Sequence, residues 1–274
     1  MTNSEYLMSV VNNKKQSSVY SYNETTVYNY VSQVINNWYS NFKRYNANAY
    51  FVTLEIKQSG SRAKGTAIKG KSDIDIFLSF NDPNGYFKLK ELYDEVYSCL
   101  NSVFKNARKQ NVSIGIRYGG FDIDVVPARR VNSVSYIKQA TRYNDHYLWS
   151  NRKQNRMLTN IQKHIDLVKG SGLINEIILI KVWREQKGLD FPSIYLELFV
   201  IEAFEHYNSF GQTFENRICY LFSYIRNNID QKRIVDPGNS GNILSEELNL
   251  TEKNEIKKAA RAAIDAQYWT EVVK

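Results

Sequence analysis

The chain is poor in the residues that staple or punctuate small folds, with two cysteines, four prolines and thirteen glycines among 274 residues. Two cysteines cannot build a disulfide-rich secreted framework. Cys99 and Cys219 sit in apolar helical patterns, which predicts buried free thiols in a reducing cytosol. The three histidines, His146, His164 and His206, lack the spacing of zinc ligands, so a structural zinc site is not expected. Glycine and proline are too sparse to mark a flexible linker, and no internal repeat interrupts the pattern. No apolar run approaches the roughly 20 residues that cross a bilayer. The opening MTNSEYLMSVVNNKKQSS is too polar for a signal peptide. A cytoplasmic protein with no membrane partner is the expectation.

What is present describes an ordered chain: 43% hydrophobic, 14% aromatic and 23% charged residues. The length allows one large domain or two fused small ones. The formal net charge of +8 favours polyanionic partners such as nucleic acid or nucleoside triphosphates.

Helical periodicity runs from Glu24 to Phe42 and continues upstream less regularly. Strand patterns follow at Tyr50 to Ile56 and Ile74 to Phe80. A long amphipathic helix is predicted over Leu89 to Ala107. Val112 to Tyr118 and Phe121 to Val126 read as a hairpin turning at Gly119-Gly120, with Pro127 ending its second strand. After about residue 135 the strand signal fades. Helices are predicted at Leu158 to Lys169, Leu173 to Gln186, Ile194 to Tyr207, Phe214 to Asn228 and Thr251 to Trp269. The front half therefore reads as mixed α/β with at least four strands and the rear half as a helical bundle, with substrate expected in a cleft between them.

The chemistry concentrates in SGSRAKGTAIKGKSDIDIFLSF. Asp73 and Asp75 lie two apart at the head of a strand, so both leave the same face while Ile74 and Ile76 point to a core. Paired carboxylates repel unless a cation compensates, and hard oxygen ligands suit Mg²⁺, which also bridges to phosphates. Upstream, Gly60 permits close backbone approach to a phosphate, Ser61 offers a hydroxyl, and Lys64 and Lys69 add positive charge. The second acidic segment, GGFDIDVVPARR, puts Asp122 and Asp124 on one face of another strand. Spacing leaves both open as the third carboxylate, and the apolar Val125-Val126-Pro127 favours Asp124. Three such acids can build a two-metal phosphoryl-transfer site. No Walker sequence is present, which disfavours a P-loop ATPase.

Gly60-Ser61, the Asp73-x-Asp75 pair and FDIDVVP together resemble the polymerase-beta-type nucleotidyltransferase superfamily. The similarity is greatest to the branch of CCA-adding enzymes, oligoadenylate synthases and bacterial cGAS/DncV-like nucleotidyltransferases. The resemblance identifies Asp73, Asp75 and Asp124 as catalytic, metal-binding residues using Mg²⁺ or Mn²⁺. It extends to Thr159, His164, Glu176, Ile180 and Lys181, to the helix Ser193-Ile194-Tyr195-Leu196-Glu197-Leu198, and to Asp236-Pro237 followed by Asn242. Gly60, Ser61, Lys64, His164, Lys181, Ser193 and Tyr195 are thereby implied to contact nucleotide. The spacing between Thr159 and His164 is wider than in the CCA-adding pattern.

The implied fold is α+β: a mixed-sheet nucleotidyltransferase core with an N-terminal helix, residues 1–135, packed against a C-terminal helical domain that binds nucleotide and acceptor, residues 136–274. The implied reaction uses nucleoside triphosphates, ATP foremost, and releases pyrophosphate. A linear or cyclic oligonucleotide signal of the kind used in antiviral defence is the product the resemblance favours. RNA stands as the alternative acceptor, at its 3′ end, or as an activator. A catalytically silent nucleotide- or RNA-binding module and transfer to a protein or small molecule are the remaining readings.

Overall fold

A computed structural model describes residues 1–71, 73–131 and 144–274. It resolves into two compact units, one formed by 17–63 and 72–163, the other by 1–16, 64–71 and 164–274. The expected boundary at 135/136 lies outside the described residues.

The first unit is built on a seven-stranded sheet: β1 (Thr53–Gln58), β2 (Ile74–Asn81), β3 (Arg108–Lys109), β4 (Ile114–Tyr118), β5 (Phe121–Arg130), β6 (His146–Ser150) and β7 (Asn155–Thr159). Its order is β1-β2-β5-β4-β3, with β6 pairing β5 and carrying β7 outward. Among the described residues only β2 and β5 run parallel, and every other pairing of this sheet is antiparallel. Alternation decides the faces. Ile74, Ile76, Leu78 and Phe80 of β2 join Ile123 and Val125 of β5 in one core with two helices of this unit, while α1 (Asn3–Lys14) belongs to the other. Those two are α2 (Tyr22–Tyr45), which contributes Val27, Val31 and Ile35, and α4 (Leu89–Phe104), which contributes Leu92, Val96 and Leu100. The short α3 (Gly60–Lys64) lies between β1 and β2 in the chain. Each buried Ile or Leu stabilises the sheet by roughly 1.5–3 kcal/mol.

Three expectations need correction here. The strand at Tyr50 to Ile56 begins at Thr53, because Ala47–Phe51 forms a 3-10 turn. Pro127 does not end β5, which continues to Arg130. Pairing with β4 stops at Val125 and pairing with β6 starts at Ala128, so a residue without an N–H interrupts no ladder on that side. The strand signal does not fade after 135 either. The β6–β7 hairpin occupies part of the segment read as helix, and the helix itself runs Ile161–Gly170 (α5).

In the second unit, α1 is capped by Thr2 and Glu5, which exchange hydrogen bonds with each other's backbone N–H. It is a separate helix rather than an extension of α2. It packs Leu7, Val10 and Val11 into a core shared with α6 (Ile174–Gln186), α7 (Ser193–Phe204), α8 (Phe214–Asn228) and α9 (Leu250–Asp265). The final predicted helix breaks at Ala266, which is extended, before α10 (Trp269–Val272). A small hairpin of β8 (Val235–Asp236) and β9 (Asn239–Ile243) interrupts the helical pattern. The mixed sheet and the helical second unit make the α+β class expected. Among the described residues no helix is long and apolar enough to cross a membrane. Cys99 is buried as expected, whereas Cys219 is exposed on α8, and both thiols are free.

Candidate active site

The parallel pairing of β2 with β5 brings the two acidic segments together. Asp75 and Asp124 are direct register partners, flanked by the pair Ile74 and Ile123. Because Ile74 and Ile76 are fully buried beneath the sheet, Asp73 and Asp75 leave from the opposite face. Asp122 makes an ion pair with Arg117 at 3.2 Å across the β4–β5 hairpin, which gives that acid its own partner.

The carboxylates are electrostatically crowded. Asp73 is open to solvent on one side, yet desolvation, then the charges of Asp124 and Asp122, raise its carboxyl above the usual range. Burial raises that of Asp124, while a hydrogen bond from Gln110 and the charge of Arg108 pull it partly back. Among the described residues no group of three His, Cys, Asp or Glu side chains is drawn tightly enough to hold a metal ion as it stands. The donor set itself fits a divalent cation: hard oxygens, mutually repelling, on adjacent strands.

Gly60 starts α3 with φ +66°, and a Cβ built there would meet the Asp75 Oδ2 at 1.7 Å. The glycine thus serves the approach of the backbone to Asp75. The Ser59 N–H donates to the Asp75 carbonyl at 3.1 Å, fixing the same junction from the other end. Ser61 follows on α3, half-buried. Gly115 plays a similar part opposite Asp124, its register partner. A Cβ there would fall 2.7 Å from the Gln110 amide nitrogen and 3.4 Å from Asp124 Oδ1.

Arg62 escaped the sequence reading. It is 1% exposed and lies on α3 one residue past Ser61. Its guanidinium ion-pairs with Glu24, donates to the carbonyls of Ser17 and Val19 at 2.9 and 3.4 Å, and lies 5.0 Å from the Tyr20 ring centre. The other Glu24 oxygen accepts from the Ser21 N–H at 2.8 Å and caps α2. One buried ion pair therefore ties the start of α2 to the helix carrying Gly60 and Ser61. The available signal was Ser21-x-x-Glu24, a capping-box spacing.

In the helical unit the remaining candidates fall into separate groups. Lys64 and Lys181 converge on Glu197, at 2.5 and 2.6 Å. Thr66 Oγ1 donates to Glu197 at 2.6 Å and accepts from Lys181 at 2.9 Å. Lys181 and Glu197 are 2% and 0% exposed. Burial lowers the Lys181 pKa, while for Glu197 the two ammonium groups outweigh burial and hold the carboxylate low. Glu197 and Thr66 are missing from the sequence reading as partners because nothing local links them to either lysine.

His164 Nε2 meets Asp236 at 2.6 Å, and Asp236 also accepts from the Gly238 N–H at 2.7 Å and the Asn242 amide at 3.2 Å. Burial opposes ionisation of Asp236, but these partners prevail and lower its pKa. Ser193 accepts from Arg184 at 3.1 Å. Tyr195 is 1% exposed between Phe191 and Phe199, and burial raises its hydroxyl pKa.

Residues 50–110 match the family described as nucleotidyltransferase domain. The chain is 35% identical over 88 residues to a CCA-adding enzyme of Methanosarcina barkeri, covering 31% of this chain and 19% of that enzyme. It is 25% identical over 195 residues to the cyclic AMP-AMP-AMP synthase of Escherichia coli MS 115-1, covering 65% of this chain and 58% of the synthase. The solved structure of CdnC from E. coli MS115-1 with ATP superposes with a TM-score of 0.72 at 19% identity, covering 96% of this chain and 91% of that one.

Fold and acidic strands together define a nucleotidyltransferase fold. Residues 50–110 carry the likeness to the nucleotidyltransferase domain, and the chain's further similarities fall among CCA-adding enzymes, a cyclic AMP-AMP-AMP synthase and CdnC. It spans about a fifth of the CCA-adding relative and somewhat more than half of the synthase.

Proposed function

We propose that this chain is a metal-dependent, template-independent nucleotidyltransferase that joins nucleoside triphosphates, ATP foremost, into a linear or cyclic oligonucleotide. The observation that carries the reading is the direct register of Asp75 with Asp124, with Gly60 held against Asp75. Asp73, Asp75 and Asp124 would hold Mg²⁺ or Mn²⁺, which when bound neutralises the triphosphate and acidifies the attacking hydroxyl. The acceptor hydroxyl oxygen would bond to the α-phosphorus as the bond to pyrophosphate breaks, and Asp124 would take the proton. Gly60 and Ser61 present backbone and hydroxyl to the phosphates. The Lys64–Lys181–Glu197 cluster leaves one positive charge in excess, which favours an anionic substrate.

The match to the cyclic AMP-AMP-AMP synthase covers 58% of that enzyme, whereas the matches to CCA-adding enzymes cover 19% to 33% of theirs, and this supports a nucleotide acceptor over an RNA end. RNA 3′ extension remains the second reading, favoured by the higher identity of the shorter match.

The test incubates pure protein with all four nucleoside triphosphates and Mg²⁺ or Mn²⁺, with and without RNA. Mass spectrometry reads small products and gels read RNA length. Short oligonucleotides with pyrophosphate are expected, and Asp75→Ala or Asp124→Ala should abolish them. Exclusive extension of RNA would replace the first reading with the second, and unchanged turnover in both variants would remove the carboxylate assignment.

A further inference from the structure

Asp124 has an uncharged neighbour, Gln110, to which the proposed reaction gives no part. Gln110 follows β3 and opens the turn into β4. Three partners hold that turn. The Gln110 N–H donates to the Ser113 carbonyl at 3.0 Å, and the Asn151 side-chain amide donates to the Gln110 carbonyl at 2.6 Å. The Tyr93 hydroxyl of α4 lies 2.8 Å from the Ser113 carbonyl and 3.1 Å from that of Gln110. The backbone is thus fixed where the side chain leaves it, although Gln110 itself is exposed.

The side chain is oriented as well. Ser113 Oγ donates to Gln110 Oε1, which leaves the amide nitrogen free to turn elsewhere. An ionised carboxylate only accepts, so the nitrogen is the end that suits Asp124. Gly115, the register partner of Asp124, opens the path between them. Its backbone is not left-handed, so conformation gives no reason for a glycine in this buried strand position. Space does: the point a Cβ would occupy lies 2.7 Å from Gln110 Nε2 and 3.4 Å from Asp124 Oδ1.

We propose that Gln110 is a positioning residue that holds Asp124 in the orientation in which it binds the divalent cation, with Gly115 kept bare to admit the amide. The inference rests on the reading of Asp124 as a metal ligand and adds the group that aims it. An uncharged donor suits this place. An ammonium or guanidinium would form an ion pair and compete with the cation for the same oxygens. An amide engages one lone pair and leaves the carboxylate charge to the metal. Losing such a contact behind a metal ligand weakens metal affinity by about 10- to 100-fold.

The test titrates the full chain with Mn²⁺ alone, the free ion being read by electron paramagnetic resonance. A parallel assay follows the Mg²⁺ dependence of pyrophosphate release from ATP. Gln110→Met keeps the side-chain length and removes both amide groups. It should weaken Mn²⁺ binding by about 10- to 100-fold and raise the Mg²⁺ concentration for half activity by a similar factor, with kcat at saturating Mg²⁺ changed less than about threefold. Gly115→Ala should weaken Mn²⁺ binding too, because its Cβ displaces the flexible end of Gln110. In the Gln110→Met background it should add less than about twofold, since the group it displaces is gone. Gln33→Met, at an exposed position of α2, should leave Mn²⁺ binding unchanged. Urea melts verify that every variant stays folded.

Mn²⁺ affinity of Gln110→Met within about threefold of the parent, while Asp124→Ala loses binding, would overturn the proposal and leave the metal assignment standing. Unchanged binding in Asp124→Ala would overturn both. Fully additive losses from Gln110→Met and Gly115→Ala would overturn the part given to Gly115.

Discussion

Replacing Gly60 by alanine separates two costs that a glycine at the candidate site conceals. The first is backbone strain, because a φ of +66° is rare for an L residue and costs about 1–2 kcal/mol. The second is collision: the new Cβ would lie 1.7 Å from Asp75 Oδ2, and ordinary contact begins at 3.4 Å. The carboxylate must therefore withdraw by roughly 1.7 Å, and displacement of a catalytic group by about 1 Å is enough to cost on the order of 100-fold in rate. Gly70 supplies the control, with φ +71° and nothing within 4 Å of its added Cβ. Gly70→Ala should pay strain alone. Strain alone should lower Tm by roughly 2–8 °C in both variants, at about 2–4 °C per kcal/mol for a chain of this size, with the collision adding to the loss in Gly60→Ala. Only Gly60→Ala should lose pyrophosphate release from ATP, by about 100-fold or more. Calorimetry and a coupled pyrophosphate assay read the two effects on the same preparations. Gly60→Ala retaining turnover within threefold, while Asp75→Ala is dead, would refute the argument that this backbone is fitted to the acid.

Two further predictions concern the sheet unit. His146 is 1% exposed, its ring nitrogens 2.8 Å from the Asn144 carbonyl and the Ser79 hydroxyl, and burial lowers its pKa from 6.5 to about 4. The unfolded chain thus takes up the proton first. Stability is full above about pH 6.5 and is lost as pH falls toward 4, by at most ~3 kcal/mol. Urea unfolding at pH 7 and pH 4.5 should show this loss, and His146→Gln should reduce it. Arg62→Met should cost about 3–5 kcal/mol by stranding the Glu24 carboxylate, and adding Glu24→Leu should recover a large part. Urea melts of the two single variants and the double variant measure this, and purely additive losses would show that the pair is not coupled.

The sequence was most legible where one physical signal dominated. The α8 boundaries at Phe214 and Asn228 follow from helical periodicity, and the acidic faces follow from strand alternation around Ile74 and Ile76. The β6–β7 hairpin was hidden because β7 sets Met157 and Leu158 side by side, without alternation, just ahead of a helical stretch. Pro127 misled because its acceptability depends on where two neighbouring strands stop and start, a property of pairing and not of the local chain. The Glu197 cluster was invisible for the same reason. Lys64, Thr66, Lys181 and Glu197 come from three separated segments, and nothing local to any segment links it to the other two.

The acidic pair also explains why the apolar core matters for chemistry. In a strand, a slip of one residue sends every side chain to the opposite face. Shifting β2 by one would bring Asp75 into the space of Ile74 or Ile76 and turn those isoleucines out to solvent, losing roughly 1.5–3 kcal/mol for each. The same holds for Asp124 between Ile123 and Val125 on β5. Four buried aliphatic residues therefore fix the register that sets two like charges side by side, where burial and then the charges of Asp124 and Asp122 raise the neighbouring Asp73 carboxyl. Parallel strands can do this because both enter the sheet from the same end, and the crossover that permits it contains α4, whose Leu92, Val96 and Leu100 pack on those same residues. The charge crowding that a divalent cation would relieve is thus a product of hydrophobic packing one layer below.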